Sequence, residues 1–256
     1  MVIAAPVAPA ETDAPEAGWQ LILIDGFELR FNGRPVPVGQ SSARLLAFLA
    51  LAEHPVTRSY ISGSLWLDSD TEHANACLRS ALWRMPAVGA HRPVFATATH
   101  LSLANSVSVD YRALVALARG LVQQHKESSA SSWTFAELAS LDGELLPECY
   151  DDWAILEKER YRQLRLHALD TLAHQLCTAH RFGEAVHVGL TAVAADPLRE
   201  SAHRRVIEVH LAEGNRVEAI RQYRAYATLL DAELGVRPST ELRRLVDSSS
   251  VANTVN

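Results

Sequence analysis

The residues best suited to make chemical contacts in this sequence lie between positions 57 and 100, and they are arginines, small side chains and one tryptophan. From Thr71 to about Met85 the apolar residues Ala74, Cys77, Leu78, Ala81, Leu82 and Met85 fall at i, i+3, i+4, i+7, i+8 and i+11, which is one narrow buried stripe on a helix. The opposite face holds Glu72, Ala76, Arg79, Ser80 and Trp83, with His73 and Arg84 at one edge and Asn75 at the other. A solvated helix face is ordinarily rich in Glu and Lys. Small residues beside arginines and an outward Trp suit close approach to a groove lined with phosphates. Ala74 to His100 carries Arg79, Arg84 and Arg92 and no acid, so this stretch is cationic within a chain of formal net charge -6. The competing reading is that Trp83 packs against a neighbouring domain and the arginines are merely solvated.

The elements around this helix must position it. Trp19 opens β-type runs at Leu21 to Ile24, Phe27 to Phe31 and Val36 to Val38, with Asn32-Gly33 as a hairpin turn. Ser41 or Ser42 is expected to cap a helix running to about Glu53, and Thr57 a second helix through Trp66; Asp68 to Thr71 then caps the third. Beyond Pro86, Pro93 to Thr97 and His100 to Leu103 read as a second hairpin, and Val107 to Asp110 closes the unit. Strands, three helices and a hairpin in that order describe a winged helix-turn-helix with an N-terminal antiparallel sheet, whose third helix reads the major groove and whose hairpin is the wing. The DNA-binding candidates are therefore His73, Asn75, Arg79, Ser80, Trp83 and Arg84 on the third helix. Thr57 and Arg58 at the second helix start join them, with Arg92, Thr97, Thr99 and His100 in the wing. Thr97 and Thr99 also fit as ordinary strand residues.

From Tyr111 strand signals stop and helices are expected at about 111–124, 134–140, 151–179, 182–195, 198–212, 215–234 and 238–247, with a loop at Glu127 to Ser132. Gly183-Glu-Ala-Val186 and Val217-Glu-Ala-Ile220 align at an offset of 34 residues, the tetratricopeptide period, with Ala185, Ala192 and Pro197 at its small, small and proline positions. Gly214, Ala219 and Tyr223 correspond in the next repeat. The fold expected is mainly α: a tail at 1–18, the winged helix-turn-helix at 19–110, a tetratricopeptide-like all-α domain at 111–247 and a tail at 248–256.

Other chemistries find little support. Three cysteines without a C-x-x-C pair suggest neither a disulfide scaffold nor a zinc finger and fit a reducing cytoplasm. No apolar stretch reaches the roughly 18 residues of a membrane span. His167 and His174, and His203 and His210, are spaced by seven, whereas metal-binding helices more often use i, i+4. Glu144, Glu148, Asp151 and Asp152 gather where a helix dipole favours acids. No catalytic residue, metal or cofactor is expected.

Gly33-Arg-Pro-Val-Pro-Val38, the helix Ala43 to Ala52, Pro55-Val-Thr-Arg58, Leu65-Trp66, Ala74 to Arg84 and Val109-Asp110 resemble the Streptomyces antibiotic regulatory protein family. The helical half resembles that family's bacterial transcriptional activation domain, from Leu141-Asp-Gly-Glu-Leu-Leu-Pro147, Trp153 and Glu157 to Arg160, on to Leu234-Gly-Val-Arg-Pro-Ser239. Met85 to Gly89 stands where many relatives have a more basic helix end. The resemblance implies a cytoplasmic, nucleoid-associated transcriptional activator that binds direct repeats at promoters, often as a dimer, and contacts RNA polymerase and its sigma factor. Members commonly switch on antibiotic and other secondary-metabolite clusters. A helical-repeat adaptor with a winged domain that binds no DNA is the alternative.

Overall fold

A computed structural model describes residues 18–123 and 141–251. The helix expected at 134–140 and the loop at Glu127 to Ser132 lie outside the described residues. The chain divides into two compact units between Asp110 and Tyr111, and the described residues are mainly helical, with their strands confined to the first unit.

The first unit opens with β1 (Trp19–Ile22), β2 (Glu28–Phe31) and β3 (Arg34–Pro35). β1 and β2 pair antiparallel with Trp19 opposite Phe31, and β2 turns into β3 at Asn32-Gly33. Both turn residues have left-handed backbone, φ 51° and 76°, the hairpin geometry that Asn-Gly favours because its twist matches that of the strands. Next come α1 (Gln40–Leu51), β4 (Val56–Thr57), α2 (Arg58–Leu65), α3 (Thr71–Trp83), β5 (Val94–Ala96), β6 (His100–Leu103) and β7 (Val107–Val109). β7 runs parallel to β1, with Val107 beside Trp19, so the first sheet is ordered β3-β2-β1-β7 and the second β4-β6-β5. Beyond this seam the Asp110 carboxylate accepts the backbone N–H groups of Leu23 at 2.9 Å and Ile24 at 3.1 Å. Trp19, Leu21 and Leu29 from the sheet, and Leu45, Leu46, Leu49, Ile61, Leu65 and Leu78 from the three helices, are buried.

One expected cap differs. Gly39, not a serine, precedes α1 and makes no side-chain cap bond. Ser42 lies inside the helix, only 2% exposed, and its hydroxyl donates to the Ala81 carbonyl at 2.8 Å. A buried hydroxyl needs a partner, and the end of α3 supplies one.

α4 (Asp110–Gln123) starts on the last residue of the first unit and leads into the second, which continues with α5 (Asp152–Thr178), α6 (Phe182–Ala195), α7 (Glu200–Glu213), α8 (Arg216–Leu234) and α9 (Thr240–Val251). The 34-residue repeat becomes the helical hairpins α6–α7 and α8–α9. Its small residues Ala185, Ala192 and Ala219 are all buried. At Gly189 α6 approaches α7 so closely that an added Cβ would stand 2.8 Å from Val206 Cγ2. Gly214 ends α7 in left-handed conformation at φ 86°, where glycine has no Cβ to clash. α9 continues to Val251, past the expected boundary at 247. Serine lowers helix stability by only about 0.5 kcal/mol relative to alanine, and Leu242 and Val246 anchor the preceding turns in the core.

Sequence motifs of this half serve packing. The Arg165 guanidinium donates to the Leu141 and Asp142 carbonyls, and Lys158 donates to those of Pro147 and Cys149, fixing the segment before α5. Ser239 caps α9 by accepting the Leu242 N–H at 3.1 Å and also bonds Glu200. His203 is buried, stacked on Tyr226 with ring centroids 4.2 Å apart, and bonded at its two nitrogens to the Pro197 carbonyl and the Gln222 amide, each at 2.9 Å. Burial holds its pKa below the ordinary histidine value.

Candidate nucleic-acid interface

α3 is set by its caps and by α1. Asp70 accepts the His73 N–H at 2.8 Å, and an acid here also favours the positive helix end. Ala74, Leu78 and Ala81 are buried, and Met85 just beyond the helix joins them. At the far end Arg84 is the cap residue, and the Met85 N–H bonds the Leu82 carbonyl at 3.2 Å. The Ala81 carbonyl accepts the Ser42 hydroxyl, and Arg44 likewise donates to the carbonyl of Leu65, the last residue of α2, at 2.9 Å. α1 thus caps both helices of the helix-turn-helix with side chains.

The buried stripe turns the opposite face of α3 outward. His73, Arg79, Trp83 and Arg84 are exposed, Trp83 to 86%, while Asn75, Ala76 and Ser80 are half-buried. Among the described residues no carboxylate lies within 4.0 Å of the Arg79, Arg84 or Arg92 guanidinium groups. Other arginines of the chain are neutralised by neighbours: Arg30 in the first unit and Arg160, Arg162, Arg181, Arg204, Arg205 and Arg221 in the second pair with acids.

The hairpin β5–β6 turns at Thr97 to His100, where the Thr97 N–H donates to the His100 carbonyl at 2.9 Å. The Thr97 hydroxyl oxygen accepts the His100 N–H at 2.9 Å, and the Thr99 hydroxyl meets His100 Nδ1 at 2.9 Å. β4 pairs with β6, setting Thr57 opposite His100. Thr57 in turn caps α2, accepting the Tyr60 N–H at 3.4 Å. Arg58 donates its backbone N–H to the Thr99 carbonyl at 2.9 Å, and its guanidinium Nε and Nη2 to the Thr97 carbonyl at 3.1 and 2.9 Å. Thr57, Arg58, Thr97, Thr99 and His100 therefore form one connected cluster. Arg92 is exposed just before β5. Sequence reasoning gives Ser42 a cap role on its own helix rather than on α3, and does not reveal the roles of Arg44 or Asp110; the bonds of these three span 39, 21 and 87 residues.

A winged helix-turn-helix and a set of tetratricopeptide-like hairpins in one chain define a class of transcriptional regulator. The family model described as "Bacterial transcriptional activator domain" matches residues 107–248, more than half of the sequence, and the chain belongs to that family. It is a transcriptional activator of the Streptomyces antibiotic regulatory protein type. Among solved structures it is similar to Mycobacterium tuberculosis EmbR in complex with a low affinity phosphopeptide, with a TM-score of 0.67 and 18% identity over 94% of this chain and 67% of that one, a likeness of fold. No curated protein matches the chain. Among the described residues no helix is long and apolar enough to cross a membrane.

Proposed function

We propose that this activator binds promoter DNA sequence-specifically, with α3 in the major groove and the wing against the backbone. The observation that carries this reading is the outward face of α3, where Arg79 and Arg84, with no acid partner among the described residues, flank an exposed Trp83. Arg79 and Trp83 are one helical turn apart, and the small residues Ala76 and Ser80 beside them leave room for base edges. His73, Asn75 and Arg84 flank that contact, and Arg92 adds a phosphate ligand beside the wing. By the family resemblance, the protein sits on direct repeats as a dimer at the nucleoid and recruits RNA polymerase with its sigma factor. It thereby switches on a secondary-metabolite cluster.

The test uses a duplex that the wild-type protein enriches from a random-sequence pool, and a scrambled copy of it. Arg79→Ala is expected to weaken binding by about 1–3 kcal/mol. If Arg79 reads a guanine, preference relaxes at one position; if it holds a phosphate, the slope of log K against log salt falls by about one on both duplexes. Arg221→Ala, which removes a surface ion pair of the second unit, leaves both readouts unchanged. Wild-type affinity and slope in Arg79→Ala would refute the assignment of α3 and favour a helical-repeat adaptor.

A further inference from the structure

The arginine at the start of α2 does something different from those on α3. A cation in a phosphate-facing unit is normally free to turn its donors outward. The Arg58 guanidinium instead aims both Nε and Nη2 at one acceptor, the Thr97 carbonyl, at 3.1 and 2.9 Å. Its own backbone N–H takes the Thr99 carbonyl two residues on, at 2.9 Å. Thr97 and Thr99 bracket the tip of the β5–β6 hairpin, and the carbonyls that Arg58 holds belong to the turn itself. Among the described residues the strand pairing that ties β6 to the helix-turn-helix is the two-residue β4, which is short for holding a hairpin tip in a fixed attitude. The guanidinium adds a planar, two-pronged attachment just past the end of β4.

We infer that Arg58 is a positioning residue for the wing, coupling the hairpin tip to the N-terminus of α2 so that both meet the nucleic-acid backbone as one body. This inference rests on the DNA-binding reading above for its consequence, but the coupling itself is a property of the free protein. The fork geometry is the reason for arginine here. Lysine keeps the charge yet offers a point donor on a flexible stem, and cannot reproduce two bonds in one plane. A direct phosphate ligand and a positioning residue therefore respond differently to Arg58→Lys.

The experiment compares Arg58→Lys and Arg58→Ala in the full chain. Hydrogen exchange of the free protein reads the hairpin from Val94 to Leu103, and hydroxyl-radical footprinting with methylation interference reads the complex on the wild-type-selected duplex. Both variants are expected to exchange hairpin amides about three- to tenfold faster, the worth of one or two exposed hydrogen bonds, with α3 amides unchanged. On DNA both lose the backbone protection given by the wing and keep the guanine contacts of α3. If Arg58→Lys binds and footprints as wild type while only Arg58→Ala is weakened, with a salt slope lower by about one, Arg58 is a direct phosphate ligand and the inference is overturned. Unchanged hairpin exchange in both variants overturns it as well. If the wild type enriches no duplex, the DNA-binding reading falls, and the exchange result alone decides the role of Arg58.

Discussion

Replacing Ser42 by alanine tests whether α1 holds the recognition helix by its end. Ser42 is 2% exposed, and its hydroxyl is 2.8 Å from the Ala81 carbonyl. The last carbonyls of a helix have no intrahelical donor, and here the Met85 N–H bonds Leu82 instead. The substitution leaves the Ala81 carbonyl a desolvated acceptor without its partner, a cost of about 1–3 kcal/mol. Alanine returns about 0.5 kcal/mol as the better helix former. The expected net loss is about 0.5–2.5 kcal/mol, confined to the first unit. Hydrogen exchange in the full chain resolves the two units separately, and amides of α1 and α3 should lose about two- to seventyfold of their protection. Ser41→Ala is the control, because Ser41 is exposed on the same helix, and exposed substitutions usually stay within about 0.5 kcal/mol. Cysteine at position 42 keeps the size with a weak donor and should fall between. If Ser42→Ala is as stable as Ser41→Ala, the bond is not holding α3 and the reasoning fails.

Two further outcomes concern the second unit. Gly189→Ala places a methyl group 2.8 Å from Val206 Cγ2; overpacking of about 1–3 kcal/mol outweighs the roughly 1 kcal/mol gained in helix propensity, so denaturant unfolding should show a net loss, and a stabilised variant would contradict the close approach of α6 and α7. Burial lowers the His203 pKa from its ordinary 6.5, so as pH falls below about 6.5 the unfolded chain takes up a proton that the folded unit resists. Stability of this unit should decline through that window, and His203→Gln should flatten the decline in thermal melts across a pH series; an identical slope in the variant would remove His203 as its source.

Much of this organisation is legible in the residues. Asn32-Gly33 specifies its hairpin because both positions need left-handed backbone, Asp70 announces the start of α3 by a local bond to His73, and the 34-residue offset surfaces in the burial of Ala185 and Ala219. These signals are local or periodic. What stays hidden joins residues far apart in sequence. Ser42 looks like a helix cap from its type and neighbours, and only the packing of α1 on α3 turns it into a cap for another helix. Arg58 looks like a phosphate ligand from its charge, and only the pairing of β4 with β6 brings it to Thr97. The outward face of α3 is readable because burial of its stripe follows from a single helical period, whereas the absence of acid partners for Arg79 depends on every element around it.

The parallel pairing of β1 with β7 also sets an order of events for the chain as it is made. β1 leaves the ribosome well before its parallel partner, which spans Val107–Val109, and the carboxylate that fastens the seam is Asp110, the final residue of the unit. Contacts of such large sequence separation form late. The helices and the β1–β2 hairpin have local partners and can gather early, while β1 keeps one edge open until residue 110 is free. At about 5–20 residues per second that edge, with Trp19 and Leu21 in its row, stays exposed for seconds before the second unit has been synthesised. A chain cut short of Val107 keeps the edge open permanently, and an unpaired strand edge is a template for joining another chain. Asp110 therefore marks the earliest point at which the winged unit can be complete and self-contained.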